Sequence, residues 1–214
     1  MISGLIFVIV IIALFFIIAL AWRFGSHRYT LPCPVWMKWL LDPPFLGGMS
    51  RRTRKTIQHL DLTSGMNVLD AGCGPGRLTI PIATIVGPSG NVTAIDIQEG
   101  MLQEVQKRAN KENLTNISFV RVGIGEGTLE SNYYDRAVLI TVLGEIPDQK
   151  AALQDIFEAL KPGGILLVEE TIRDPHFQTR NTVNRLAGTC GFIEKDFFGN
   201  RFSYILTLKK PSDS

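Results

Sequence analysis

Cysteine is scarce in this chain of 214 residues: Cys33, Cys73 and Cys190 are widely spaced and odd in number. No C-x-x-C pair and no Cys/His cluster occurs, so neither a disulfide framework nor a metal site is expected, and the thiols read as reduced packing residues. Charge is missing from the start of the chain, where nothing charged precedes Arg23. The net charge is only +2. A domain with so little excess positive charge lacks the basic patch a nucleic-acid enzyme carries, and that class is set aside. Internal repeats and low-complexity tracts are also absent. Length and composition, 45% hydrophobic and 20% charged, bound the rest to one domain of moderate size with an appendage.

The charge that is present lies unevenly. Residues 23–55 hold seven basic side chains (Arg23, Arg28, Lys38, Arg51, Arg52, Arg54, Lys55) against Asp42, leaving fifteen basic and nineteen acidic residues elsewhere. A basic collar ahead of a mildly acidic domain fits a negatively charged neighbour such as a lipid surface. Just before the collar, Leu5–Trp22 is eighteen uninterrupted apolar residues, long enough to cross a bilayer as a helix. A run with no polar face does not suit a buried core helix. Ala19-Leu20-Ala21 would suit signal-peptide cleavage, but no basic n-region precedes the run, and it exceeds the usual apolar region of such peptides. The expectation is a transmembrane helix over residues 1–23, a single-pass membrane protein, with the following domain in the cytoplasm because the basic residues all lie on that side. Residues 24–50 form a juxtamembrane connector punctuated by Pro32, Pro34, Pro43 and Pro44. Its Trp36 and Trp39 suit either the membrane interface or packing on the domain.

Residues 51–210 are organised around Asn67-Val68-Leu69-Asp70-Ala71-Gly72-Cys73-Gly74-Pro75-Gly76. A short apolar strand runs into a turn with glycines on alternate positions, then into a helix ending near Val86. Strand, glycine turn and helix make the ligand-binding corner of a doubly wound α/β sheet. Glycine allows φ > 0 and lets a ligand approach the main chain, and a helix start favours anionic groups. A dinucleotide loop of the form G-x-G-x-x-G would need glycine at position 77, which is Arg77. Before this corner, Ser50 caps an expected helix over Arg51–Leu60. After it, Asn91–Asp96 reads as a strand ending in an acid able to accept both hydrogen bonds of a ribose diol. Glu99–Lys111 follows as a helix with Leu102, Val105 and Ala109 on one face, and Ile117–Val122 as a strand. Arg136–Leu143 is the fourth strand, and Asp148 caps a helix over Gln149–Leu160 with apolar residues at 3.6-residue spacing. Lys161-Pro162-Gly163-Gly164 is expected to end that helix at a glycine cap, and Ile165–Glu170 is the fifth strand. A helix over Thr179–Cys190 and two strands, Phe192–Phe198 and Phe202–Lys209, joined around Gly199-Asn200, complete the chain.

The pattern Asp70-x-Gly72-x-Gly74-x-Gly76 closely resembles the first motif of class I methyltransferases that use S-adenosylmethionine (SAM). The stretch from Asp135 to Leu160-Lys161-Pro162-Gly163-Gly164-Ile165 resembles the run ahead of strand five in small-molecule members. The resemblance covers about residues 50–209. It implies a Rossmann-like doubly wound sheet, mostly parallel, closed by a C-terminal antiparallel hairpin, with SAM as cofactor. It also implies cofactor contacts from Asp70, Gly72, Gly74, Gly76, Asp96, Ile97, Ile124 and Thr141. Family members often place an adenine-binding acid after strand three. Here that place is Gly123, so Glu126 or main-chain groups are left to serve.

The acceptor pocket is expected beyond the C-terminal ends of strands four and five. Glu145 and His176 are the candidates there for a catalytic base, needed only if the acceptor must lose a proton. A small hydrophobic or lipid acceptor fits the anchor and the tryptophans, although an anchor can serve location alone. Two other classes stay open at this point: an NAD-linked oxidoreductase, disfavoured by Arg77 and the terminal hairpin, and a SAM-binding protein without catalysis.

Overall fold

The computed structural model describes residues 50–212 continuously. It also describes eight helical positions ahead of them: Ile6, Phe7, Val10, Ala13, Leu14, Ile17, Ile18 and Gly25. The expected membrane span and connector otherwise lie outside the described residues. Among the described residues, no helix is long and apolar enough to cross a membrane.

Ser50 opens the domain as expected: its hydroxyl accepts from the Thr53 N–H at 3.1 Å and caps α1 (Arg51–Leu60). The chain then alternates as β1 (Asn67–Ala71), α2 (Thr79–Val86), β2 (Asn91–Ile95), α3 (Glu99–Lys111) and β3 (Ile117–Val120). It continues through β4 (Tyr134–Ile140), a 3₁₀ turn (Leu143–Glu145), α4 (Gln149–Ala159), β5 (Leu160–Thr171), α5 (Arg180–Thr189), β6 (Ile193–Asn200) and β7 (Ser203–Lys209). Among the described residues these strands form one sheet of seven, in the order β3-β2-β1-β4-β5-β7-β6. The first five pair in parallel; β7 runs antiparallel between β5 and β6.

Strand residues alternate between two apolar layers, as a sheet covered on both faces requires. Val68, Val92, Val138 and Leu167 join Leu60, Ile82 and Val86 on the α1 and α2 side. Leu69, Leu139, Leu166 and Val168 meet Leu153, Ile156 and Val183 of α4 and α5 on the other. The expected face of α3 is buried through Leu102, Val105 and Ala109.

Two expectations are corrected at the ends of β4 and α4. Strand four ends at Ile140 rather than Leu143, because Thr141 takes a left-handed φ of +52° that an extended strand cannot contain. Helix α4 ends at Ala159, and Leu160 already has extended backbone angles. No glycine caps α4: Lys161–Gly164 belong to the start of β5. There the Gly163 N–H donates to the Lys210 carbonyl, and the Lys210 N–H to the Gly164 carbonyl. The chain order reverses between β1 and β4, and the carboxyl ends of β1, β2 and β4 open at that reversal. In such sheets, that is where ligands bind.

Candidate active site

A half-open cavity of about 440 Å³ lies above these strand ends, within the size range of small-ligand sites. The glycine turn forms its floor. Gly72, Gly74 and Gly76 have φ of +74°, +51° and +85°. A Cβ on Gly72 would come within 2.6 Å of Val142 Cγ2, whereas one on Gly74 would meet nothing within 4 Å among the described residues. Position 72 is thus closed by packing against the loop after β4. Position 74 opens onto empty space in which a ligand can reach the main chain. Gly72 and Cys73 donate N–H bonds of 2.9 Å to the Ile95 carbonyl, tying the turn to the end of β2.

Asp96 follows directly. Its Oδ2 accepts from the Gly74 N–H at 3.0 Å and its Oδ1 from the Gln98 N–H at 2.9 Å. Both carboxylate oxygens keep acceptor capacity, and the side chain lines the cavity. Burial pushes this carboxyl up, and the two N–H bonds pull it back. Asp70, two residues before the turn, is 3% exposed and also lines the cavity. The Thr79 hydroxyl donates to its Oδ2 at 2.6 Å, joining the end of β1 to the first turn of α2. Burial raises Asp70 to about 6 against the opposing pull of Thr79 and Arg77. Burial likewise pushes the Cys73 thiol up, which fits a packing residue rather than a nucleophile.

Ile97, Ile124 and Thr141 line the same cavity. Ile97 is 52% exposed, so it forms part of the rim. After strand three, a Cβ on Gly123 would collide with the Glu126 carboxylate. Glu126 therefore folds back over the position where a side chain at 123 would begin, and it lines the cavity. Thr141 is a β-branched residue in left-handed conformation, a genuine outlier that the surroundings must enforce. Its N–H donates to the Glu169 carbonyl at 2.9 Å and its hydroxyl to the Ile140 carbonyl at 2.7 Å.

Glu145 and His176 come together, but only Glu145 lines the cavity. His176 is 4% exposed and stands behind it, with Nδ1 3.7 Å from Glu145 Oε1 and 3.8 Å from Asp174 Oδ1. Gly144 is required for this approach, because a Cβ there would run into the His176 backbone. Burial raises Glu145 to about 8, helped by the nearby charges of Asp174 and Asp96. A carboxyl near neutrality at the end of strand four is suited to moving a proton. Asp174, which accepts from the His176 N–H at 2.7 Å, lines the cavity beside it.

Arg52 and Arg77 are among the cavity residues that the sequence did not place there. Both converge on Glu169, which is 2% exposed on β5. Arg52 and the Thr56 hydroxyl donate to its two oxygens, and Arg77 Nη2 lies 4.0 Å away. Arg77 also donates to the Thr53 hydroxyl at 3.1 Å. The cluster pins the first turn of α1 to β5 and to the glycine turn. Basic residues in α1 look from sequence like a solvated face, so only the tertiary structure reveals this one.

The cradle, the opening at Gly74 and the anchored Asp96 carboxylate fit an adenosyl cofactor carrying a positively charged sulfur. Comparisons with known proteins agree. A family model described as Methyltransferase domain matches residues 62–205. The demethylmenaquinone methyltransferase of Lactococcus lactis is 32% identical over 117 residues, covering 55% of this chain and 46% of that protein. That of Staphylococcus aureus is 31% identical over 118 residues, covering 55% and 48%. The chain thus spans about half the length of the curated relatives it matches. A SAM dependent methyltransferase from Aquifex aeolicus shares the fold, with a TM-score of 0.74 at 20% identity over 83% of this chain and 99% of that one. Phosphoethanolamine N-methyltransferase 2 of Haemonchus contortus, solved with S-adenosyl-L-methionine, gives 0.63 at 16% identity over 75% and 52%. On its sheet order, its glycine cradle and the family match over most of the domain, the chain belongs to the class I SAM-dependent methyltransferase family.

Proposed function

We propose that the chain is a membrane-anchored enzyme that moves a methyl group from SAM to a small hydrophobic acceptor of the lipid phase, a quinone precursor being the best example. One observation carries the reading: Asp96 faces the cavity beside the open main chain of Gly74, with both oxygens held from behind by N–H groups. The names of the curated relatives support a quinone-like acceptor. The apolar run supports the anchor, as do its described helical positions: Ile6, Phe7, Val10, Leu14, Ile17 and Ile18 are all more than half exposed. A single-pass topology with the domain in the cytoplasm follows from the basic collar.

SAM, when bound, supplies an electrophilic methyl group on a sulfonium, and the protein supplies position and electrostatics. Asp96 grips the ribose hydroxyls. Gly72, Gly74 and Gly76 give main-chain approach, and Asp70 holds the turn through Thr79. Ile97 and Ile124 flank the adenine, with Glu126 as its polar partner. Thr141 walls the cavity between cofactor and acceptor. Glu145 takes the proton of a phenolic or enolic acceptor, and His176 positions Glu145 from behind.

The test is to incubate membranes carrying the full chain with methyl-labelled SAM and to partition the products. Label in the organic phase, absent without the chain, is the expected result. Label confined to aqueous small molecules would replace the lipid acceptor with a soluble one. No transfer with any membrane extract would remove the catalytic reading.

A further inference from the structure

The length of the connector does not by itself fix which way an active site faces. Twenty-seven residues separate Trp22 from Ser50. Fully extended, that length reaches as far as about 90 Å, so a cavity mouth that takes acceptors from a bilayer needs its own means of facing one.

We infer that the tip of the β6–β7 hairpin, together with the basic outer face of α1, is a docking surface for an anionic lipid bilayer. The inference rests on the lipid-acceptor reading above.

Topology places this surface at the right edge. Thr171, the last residue of β5, pairs with Ser203, the first of β7. The hairpin tip therefore emerges from the sheet edge where the parallel strands end and the cavity opens. The first turn of α1 reaches the same edge, since Ser50 and Arg52 line the cavity. The chain arriving from the apolar run thus enters the domain at its mouth.

The tip carries the residue types that suit a headgroup region. Phe198 is 43% exposed, and Phe202 and Ile172 are each 46% exposed. The Ile172 N–H donates to the Phe202 carbonyl at 2.7 Å, which ties the end of β5 to the hairpin turn. Cations overlie the rings: the Arg201 guanidinium is 4.6 Å from the Phe202 centroid and Lys55 Nζ is 4.9 Å from that of Phe198. Arg51 and Arg54 are exposed on α1 next to Lys55. Of the acids nearest Ile172 in sequence, Glu169 and Glu170 are buried and Asp174 is partly buried at the cavity, whereas Arg51, Arg54, Lys55 and Arg201 are exposed, so the exposed charge here is mainly positive. Aromatic rings with basic neighbours bind the boundary of anionic membranes through both apolar burial and charge.

The tip is also fixed in shape. The Asn200 side chain accepts from the Phe202 N–H at 2.9 Å and the Ser203 N–H at 3.2 Å. Gly199, at φ +119°, sits where a Cβ would strike the Ser203 carbonyl. His59 of α1 packs on Phe198 with ring centroids 4.9 Å apart, joining the hairpin to the helix.

The experiment reconstitutes the full chain in vesicles of phosphatidylcholine, with or without phosphatidylglycerol. Each preparation carries a trace of a photoactivatable phospholipid, and the labelled peptides are mapped by mass spectrometry. Label is expected on residues 198–204 and 51–55 in the anionic vesicles, and is lost from both when F198S/F202S or K55E/R201E replaces the natural chain. Thermal unfolding and SAM titration of the same preparations verify that these surface variants fold and bind. An unlabelled hairpin in the natural chain, whether covered by residues 24–49 or by a second copy, overturns the docking surface while SAM binding persists. Loss of SAM binding in the natural chain would instead overturn the reading beneath it.

Discussion

Replacing Glu170 by Gln is expected to stabilise the protein in mildly alkaline solution and to change little in acid. Glu170 is 1% exposed near the end of β5. Its Oε2 accepts a 3.3 Å bond from the Gln178 N–H, and among the described residues its Oε1 has no hydrogen-bond partner. Burial raises the carboxyl from 4.5 to about 8, with smaller pushes from Asp174 and Glu169 and opposing pulls from Gln178 and Arg52. The folded-state value lies above the unfolded one. The group's contribution to stability is therefore complete below the unfolded value of 4.5 and disappears as pH rises toward 8, because the unfolded chain gives up the proton first. A shift of about 3.5 units at about 1.36 kcal/mol each amounts to roughly 4–5 kcal/mol. Glutamine keeps the shape and cannot ionise, so it removes this loss. At about 2–4 °C per kcal/mol for a domain of this size, the variant should melt roughly 10 °C above the natural protein near pH 8.5 and close to it near pH 5. Far-UV circular dichroism melts across that range measure the difference. Glu145 and Asp70 carry shifts of the same sign and leave some slope in the variant. A melting-temperature difference that stays constant from pH 5 to 8.5 would refute the reasoning.

Three further outcomes address the site. Asp96→Asn replaces one acceptor oxygen with an amide NH2, which sets donor against donor at the Gly74 or Gln98 N–H and removes one of the two acceptors for the ribose hydroxyls. SAM affinity should fall roughly 10- to 100-fold, as for about 1.5–3 kcal/mol in a hydrogen bond to a charged group, and an unchanged affinity in titration calorimetry would remove Asp96 from the cofactor. Glu145→Gln should lower turnover by roughly 10²- to 10⁴-fold with SAM affinity intact. It should also flatten a pH–rate profile that otherwise rises with its midpoint near 8 and levels off above it; a variant that keeps the rise has another base. Gly72→Ala should weaken SAM binding through both the φ of +74° and the collision with Val142. Adding Val142→Ala should restore only part of the affinity, and full restoration would mean that backbone conformation contributes nothing.

Much of the fold could be read from local pattern. The 3.6-residue spacing in α3, the Ser50 and Asp148 caps and the glycine turn all act through neighbours in sequence, and each stands where expected. The position of Asp96 beside the glycine turn is legible because it depends on distance along the chain from that turn. The errors arose where distant segments override local preference. Thr141 breaks β4 although it is β-branched and follows an apolar run, because the loop after it must turn down to pack Val142 on Gly72. The Pro-Gly-Gly stretch reads as a helix stop but is held in β5 by pairing with Lys210. His176 reads as a loop residue at the mouth, yet it is buried behind Glu145 because Gly144 admits its backbone. The Arg52–Glu169–Arg77 cluster brings together α1, β5 and the glycine turn, and no single segment contains its signal.

The central claim, a cradle at the end of β1 that accepts an adenosyl sulfonium compound, is tested most directly by calorimetry on the full chain with three ligands. SAM and its demethylated product, S-adenosylhomocysteine, should each bind at one site, and NAD should not bind. Binding of NAD with no heat from either sulfur compound would contradict the account.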